Sequence, residues 1–307
     1  MKICKFLCSI LLALTLISSP LTVSYAQESN RDKVILEASS IRKDLKSKYK
    51  LELDNKIRDS KIPYEVYIKL SEFNASSLEK ILIKAGEARK EKVIIKTDAV
   101  EYSEANKKSI SEHFSNAVKN AGSLYYPAST HNMLTTFNNR YTKIEIDINY
   151  DMTLEEDVVV KNWVKSKVAS FASTKTGKEL QIAQMKYITE VISKSLEYDQ
   201  TLSNYSAYEG IATGVTVCNG YSWLTKYFLD EFKIENKLQT GIYNDSGLQD
   251  GDTNHIWNKV KLDGVWYNID NTANDPVFLN GGKDQNYVSY DFFLKEDSYM
   301  LNNGYRW

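Results

Sequence analysis

Residues 254–272 read NHIWNKVKLDGVWYNIDNT, with apolar and polar residues alternating on both sides of Asp263-Gly264. Alternation with a period of two marks strands, and an Asp-Gly pair between two such runs marks a tight hairpin. A two-residue loop sets Leu262 opposite Val265, Trp257 opposite Asp270 and His255 opposite Thr272. Opposite residues share a face, and so do residues two apart on one strand. His255 and Asp270 then become diagonal neighbours, about 7–8 Å apart at the backbone, with side chains able to lean into hydrogen-bonding reach. A loop one residue longer or shorter would send Asp270 to the other face. A carboxylate in that place fixes the tautomer of an imidazole and stabilises its charged form. A solvent-exposed histidine at a strand start is the alternative that spacing leaves open.

Upstream, residues 214–232 read GVTVCNGYSWLTKYFLDEF. Tyr221, Leu224, Phe228 and Phe232 fall on one helical face, so a helix starts close to Cys218. At a helix N-terminus the unpaired N–H groups and the macrodipole favour an anion, and a thiol there loses its proton more easily. Asn219-Gly220 keeps bulk away from the sulfur. Taken alone, the segment fits an activated thiol and a small buried hydrophobe equally well.

Together, VCNGYSWL and NHIWNKVKLDGVWYNIDNTANDP resemble the bacterial transglutaminase-like superfamily, in which Cys, His and Asp follow in that order. The likeness covers roughly residues 180–307, including Tyr198-Asp199 and the YDFFLKEDSYM stretch. It implies a papain-like α+β core with the cysteine helix packed on an antiparallel sheet. It also implies Cys218 as nucleophile, His255 as base and Asp270 as orienter. The implied chemistry is thiol-dependent acyl transfer or hydrolysis on peptide or protein amides, with the backbone N–H of Cys218 and a second donor holding the oxyanion. Tyr208 is a candidate for that second donor by position. The pattern departs at Ala273, where the family often carries tryptophan, which implies a different substrate groove there. Two other readings of the same chain stand beside this one: a non-catalytic surface or adhesion module that kept the fold, and a peptidoglycan stem-peptide hydrolase.

Working outward, helices are expected at about 153–173 and 178–196; the second carries Ile182, Met185, Ile188, Val191, Ile192 and Leu196 on one face. Residues 61–150 read as a small α+β domain without evident chemistry. Its strands are expected at 63–70, 92–96, 123–126, 133–137 and 142–150, and its helices at 75–90 and 103–120, the latter capped by Ser103. His113 and His131 lie here without ligand-spaced partners and read as ordinary histidines. Residues 27–60 form a charged helical segment, with an amphipathic helix over about 31–48 as a packing element or stalk. The divisions are thus 1–26, 27–60, 61–150 and 151–307.

Lys2 and Lys5, the apolar run Phe6–Ile17 and Ser24-Tyr25-Ala26 predict a cleaved export signal over residues 1–26. Cys4 and Cys8 leave with it, so Cys218 remains as the lone thiol of a secreted protein and an internal disulfide is ruled out. Removing Lys2 and Lys5 from 39 basic residues leaves 37 against 40 acidic ones, a net of about −3 that argues against nucleic acid. The expected partner is an extracellular protein or peptide, with the cell wall a further candidate and no membrane contact after cleavage. The loop NDSGLQDGDTN (244–254) is acid-rich, but it lacks the terminal Glu and spacing of a calcium loop. It reads as a solvated connector, so no metal and no cofactor is expected. Trp223, Trp257, Trp266 and Trp307 read as core or groove walls, with Trp257 on the face of His255.

Overall fold

The computed structural model describes residues 29–121, 128–244, 254–275 and 287–307. The expected export signal, the expected strand at 123–126 and most of the acid-rich loop lie outside them, as does the side chain of His131. Helix α1 (Asn30–Lys48) starts on a capping box, in which Ser29 accepts from the Asp32 N–H and the Asp32 carboxylate accepts from the Ser29 N–H. Helix α2 (Lys50–Ser60) follows after Tyr49.

The next elements build a four-stranded sheet from β1 (Tyr64–Tyr67), β2 (Lys92–Asp98), β3 (Ala128–Phe137) and β4 (Tyr141–Tyr150), in the order β1-β2-β4-β3. Strand β1 is shorter than expected. The Asp98 carboxylate accepts from the Leu70 N–H at 2.8 Å, and residues Leu70–Glu72 turn into a 3-10 helix instead of extending the strand. The parallel pair β1–β2 is joined through α3 (Ala75–Glu87), and α4 (Glu104–Ala121) packs beside it. Ser103 accepts from the Asn106 N–H at 3.1 Å at the start of α4. Val93, Ile95, Ile144, Ile146 and Ile148 alternate onto one buried face with Leu78, Leu82 and Ile110. His113 sits edge-on to Phe73 in this core, a packing role.

The remaining elements form a second body. Helices α5 (Leu154–Ser170) and α6 (Gly177–Ser195) lead to β5 (Glu197–Tyr198), α7 (Ala207–Thr213), β6 (Val215–Thr216) and α8 (Cys218–Glu231). Strands β7 (Asn236–Tyr243), β8 (His255–Leu262) and β9 (Val265–Ile269) come next, followed by β10 (Phe293–Lys295), α9 (Asp297–Asn302) and β11 (Tyr305–Arg306). The antiparallel sheet runs β10-β9-β8-β7-β11, and α8 packs against β8 and β7. The protein is thus α+β, with the cysteine helix laid on an antiparallel sheet in papain-like fashion. Helix α1 is a packing element of this body: Val34, Ala38 and Leu45 join Val160, Trp163, Leu224, Phe228 and Val260 in one buried cluster. Among the described residues, no helix is long and apolar enough to cross a membrane.

Candidate active site

The hairpin sets the site's first distance. Asp263 and Gly264 both take positive φ, 50° and 81°, as the two-residue turn with matching twist requires. The register runs from Leu262 opposite Val265 to Asn258 opposite Ile269, so the next pair outward is Trp257 and Asp270. Parity therefore brings His255 and Asp270 to one face, with His255 Nε2 2.6 Å from Asp270 Oδ2. The Asp270 carboxylate, fully buried, also accepts from the Tyr305 hydroxyl at 2.6 Å, the Thr272 N–H at 3.0 Å and the Ala273 N–H at 3.1 Å.

The second distance is set by how α8 docks on the sheet. Ser222 Oγ donates to the Ile256 carbonyl at 2.8 Å, and Asn258 Nδ2 donates to the Ser222 carbonyl at 3.0 Å. These bonds tie the strand of His255 to the helix of Cys218. On the far side of Asp270, Asn271 Nδ2 reaches Thr225 Oγ1 at 2.8 Å and the Tyr221 hydroxyl reaches Asp275 at 2.5 Å. The polar partners that α8 offers here, Tyr221, Ser222 and Thr225, lie within its first eight residues. Gly220 has a structural reason other than clearing space at the sulfur, because a Cβ there would lie 2.1 Å from Thr216 Oγ1. The glycine lets the helix start close against β6.

Cys218 is the first residue of α8, its cap Val217 offers no side-chain bond to the exposed N–H groups, and its thiol is partly accessible. The sulfur lies near enough to His255 to act on the ring's charge state. With Nε2 turned to Asp270, the ring's other nitrogen, Nδ1, is the one available to the sulfur. Burial disfavours the imidazolium, but the charge and hydrogen bond of Asp270, then those of Cys218, outweigh it and raise the ring to about 10. Burial likewise opposes the Asp270 carboxylate, and His255, Tyr305 and the Ala273 N–H together still hold it below the usual range. The three candidate residues thus come together at one place, with a charged ring between a sulfur and a buried carboxylate.

Aromatic side chains wall the imidazole. Trp257 stacks on it at 6.0 Å, Tyr243 lies at 5.4 Å and Tyr305 at 5.8 Å. Trp257 is itself fixed by its Nε1–H bond to Asn268 at 2.8 Å. Tyr208, the candidate donor by position, accepts at its hydroxyl from Arg42 Nη1 of α1 at 2.7 Å. Tyr305 escaped sequence reasoning, since the closing Tyr305-Arg306-Trp307 carries no local pattern that links it to Asp270. Its pairing with Tyr243 across β7 and β11 brings it there, and Gly241 permits the approach, since a Cβ would lie 2.2 Å from the Arg306 carbonyl. Two clefts elsewhere, of about 380 and 500 Å³, are lined by neither Cys218, His255 nor Asp270. Among the described residues, no group of three or more His, Cys, Asp and Glu could hold a metal ion.

A cysteine helix, a His-bearing hairpin and a buried Asp on one antiparallel sheet define a papain-like class of α+β protein. Residues 162–271 match the family model described as Transglutaminase-like superfamily, and this part of the chain is a transglutaminase-like domain. A comparison with curated proteins returns no match. A solved structure described as a TGase is 14% identical, covering 65% of this chain and 55% of its own, at a TM-score of 0.32. A candidate cysteine protease from Cytophaga hutchinsonii is 15% identical, covering 50% of this chain and 68% of its own, at a TM-score of 0.29. Scores this low carry no argument about activity, and this chain spans little more than half the length of the first of these structures.

Proposed function

We propose that the protein is an exported thiol-dependent acyl transferase or hydrolase that acts on peptide or protein amides through Cys218, His255 and Asp270. The observation that carries this reading is the 2.6 Å contact between His255 and a fully buried Asp270, on a ring that also engages the thiol at the start of α8. Such a ring stays protonated through the neutral range and sets a positive charge beside the sulfur.

In the proposed cycle the sulfur forms a bond to the amide carbon, and the carbonyl π pair moves onto oxygen. The tetrahedral species collapses, and the leaving amine departs with the proton held by His255. The resulting thioester is then attacked by an amine or by water, whose proton returns to the imidazole, and the carbon–sulfur bond breaks to release the new amide or acid and restore the Cys218 sulfur. Asp270 acts by orientation and charge and keeps no proton of its own.

The test is product analysis. The protein would be incubated separately with glutamine-containing peptides and with purified cell-wall fragments. An acyl adduct on Cys218 by mass spectrometry, with amine release absent from Cys218→Ala, is the expected result. The substrate giving the adduct separates protein amides from wall stem peptides. A folded protein that forms no adduct and releases no amine with either would favour a non-catalytic surface module.

A further inference from the structure

The four-stranded sheet holds none of Cys218, His255 and Asp270, yet its last strand ends beside the nucleophile. We propose that Asp151, the residue after that strand, sets a substrate preference: its carboxylate takes a cationic side chain on the acyl donor, of the lysine or ornithine kind, next to the carbonyl that Cys218 attacks. The inference rests on the function proposed above and deepens it by naming a class of acyl donor.

The contact joins the two bodies. Asp151 directly follows β4, and Asn219 directly follows Cys218 at the start of α8. Asn219 Nδ2 donates to Asp151 Oδ2 at 3.3 Å and to the Tyr205 carbonyl at 3.1 Å. Tyr205 is itself 54% exposed and adds a ring to the same rim. The acyl part of a substrate stays bonded to the sulfur between the two half-reactions, so a group that reads it belongs close to residue 218.

The backbone on both sides of Asp151 is fixed. Arg89 Nη2 donates to the Met152 carbonyl at 2.5 Å, and its guanidinium lies over the Tyr150 ring at 4.1 Å. The Tyr150 hydroxyl donates to the Lys90 carbonyl at 2.9 Å, Met152 is buried in the core, and Thr153 caps α5. A carboxylate held in this way needs no loop ordering when a ligand arrives, and such ordering is a principal cost of binding.

Asp151 is also the carboxylate left open. Asp270 is held by His255, Tyr305 and two backbone N–H groups. Asp199 accepts from the N–H groups of Thr201, Ser203 and Asn204, and Glu209 accepts from those of Tyr205 and Ser206. The Asp151 side chain is half-buried, and among the described residues it forms no ion pair and has the long bond from Asn219 as its one hydrogen bond. Charged groups drawn out of water are ordinarily paired. Burial raises this carboxyl above the usual range; the Asn219 bond opposes the rise, the charge of Glu209 adds to it, and Arg89 opposes it. An ammonium group would offset both the burial and the repulsion from Glu209, whereas another carboxylate would add to them.

Two acyl donors that differ in one charge test the assignment in the full mature protein: the p-nitrophenyl esters of Nα-benzyloxycarbonyl-lysine and of its neutral counterpart, norleucine. With either ester the Cys218 sulfur bonds to the carbonyl carbon, the ester carbon–oxygen bond breaks, and p-nitrophenolate leaves with the electron pair and is followed by absorbance. Corrected for spontaneous hydrolysis, the wild-type protein is expected to be acylated about fivefold faster by the lysine ester at neutral pH and low salt, as one ion pair at about 4 Å gives in water. High salt should erase most of that preference. Asp151→Asn keeps an acceptor for Asn219, and it should bring the two rates within about twofold of each other while the norleucine rate stays near wild type. Equal rates for the two esters in wild type, or a lysine preference that survives in Asp151→Asn, would overturn the assignment and leave the nucleophile reading intact. Equal losses with both esters in Asp151→Asn would overturn it too, since they indicate a structural role at the start of α8. A wild-type protein acylated by neither ester would remove the nucleophile reading, and this inference with it.

Discussion

The imidazole of His255 sits between two acidic partners, and its charge state decides what the site can do. Asp270 and Cys218 raise it to about 10 against the cost of burial. A group raised from an ordinary 6.5 stabilises the fold fully below that value, and the stabilisation is lost as pH rises through about 10. Asp270 acts in the opposite direction: its contribution is present above the usual carboxylate range and is lost as pH falls through its lowered value. Nitrogen-15 NMR of histidine-labelled protein should therefore show one of the 3 histidines doubly protonated at pH 8. Three rings titrating near the ordinary histidine value would contradict this. Tyr305 is the residue that most directly supports Asp270 from outside the hairpin. Tyr305→Phe removes a bond to a buried charge and should cost about 1.5–3 kcal/mol in urea unfolding. It should also lower turnover, because the carboxylate loses one of the bonds that aim it at His255. A variant with unchanged stability and turnover would show that the hydroxyl does not hold Asp270.

At the level of elements, two short contacts set where the nucleophile stands. The β8–β9 hairpin aligns His255 with Asp270, and the start of α8 must lie close against β6. Gly220 makes the second contact possible. Alanine inside a helix ordinarily gains about 0.8–1.0 kcal/mol over glycine. Here the added Cβ would meet Thr216 Oγ1 at 2.1 Å and Cγ2 at 2.7 Å, and overpacking of that kind costs about 1–3 kcal/mol. The clash should win, so Gly220→Ala lowers the melting midpoint, and adding Thr216→Ala recovers part of the loss. A rise in midpoint for the single variant would mean that the helix has room to shift.

The hairpin was legible in the sequence because its turn chemistry and its alternation are local; Asp263-Gly264 alone fixes the parity of Asp270. Cys218 at the head of a helix was legible for the same reason, from the apolar spacing after it. The Asp151–Asn219 contact and the approach of Tyr305 were not, because both depend on pairing between segments that no local pattern connects. The contact of the Tyr208 hydroxyl with Arg42 of α1 was not legible either, because nearness to Cys218 along the chain says nothing of a partner in the first helix.

Across the whole molecule, residues far apart in sequence share one core. Trp163 in α5 is fully buried, and its Nε1–H donates to Glu37 of α1 at 2.9 Å. Arg31 donates to the Thr213 carbonyl at 3.2 Å beside the approach to Cys218. Helix α1 is therefore part of what holds the nucleophile, and any processing of the N-terminus must spare its cap. The proposed cleavage after Ala26 would leave Ser29 and Asp32 to close the first turn. N-terminal sequencing of protein recovered from culture medium should begin at Gln27, and a cut inside α1 or an intact Met1 would contradict the proposed signal. In the proposed site, sulfur, ring and carboxylate work as one unit. This coupling is tested most directly by the rate at which iodoacetamide alkylates Cys218 at pH 6.5, in wild type and in His255→Ala. The wild-type thiol should react at least tenfold faster, and equal rates in two folded proteins would contradict a coupled triad.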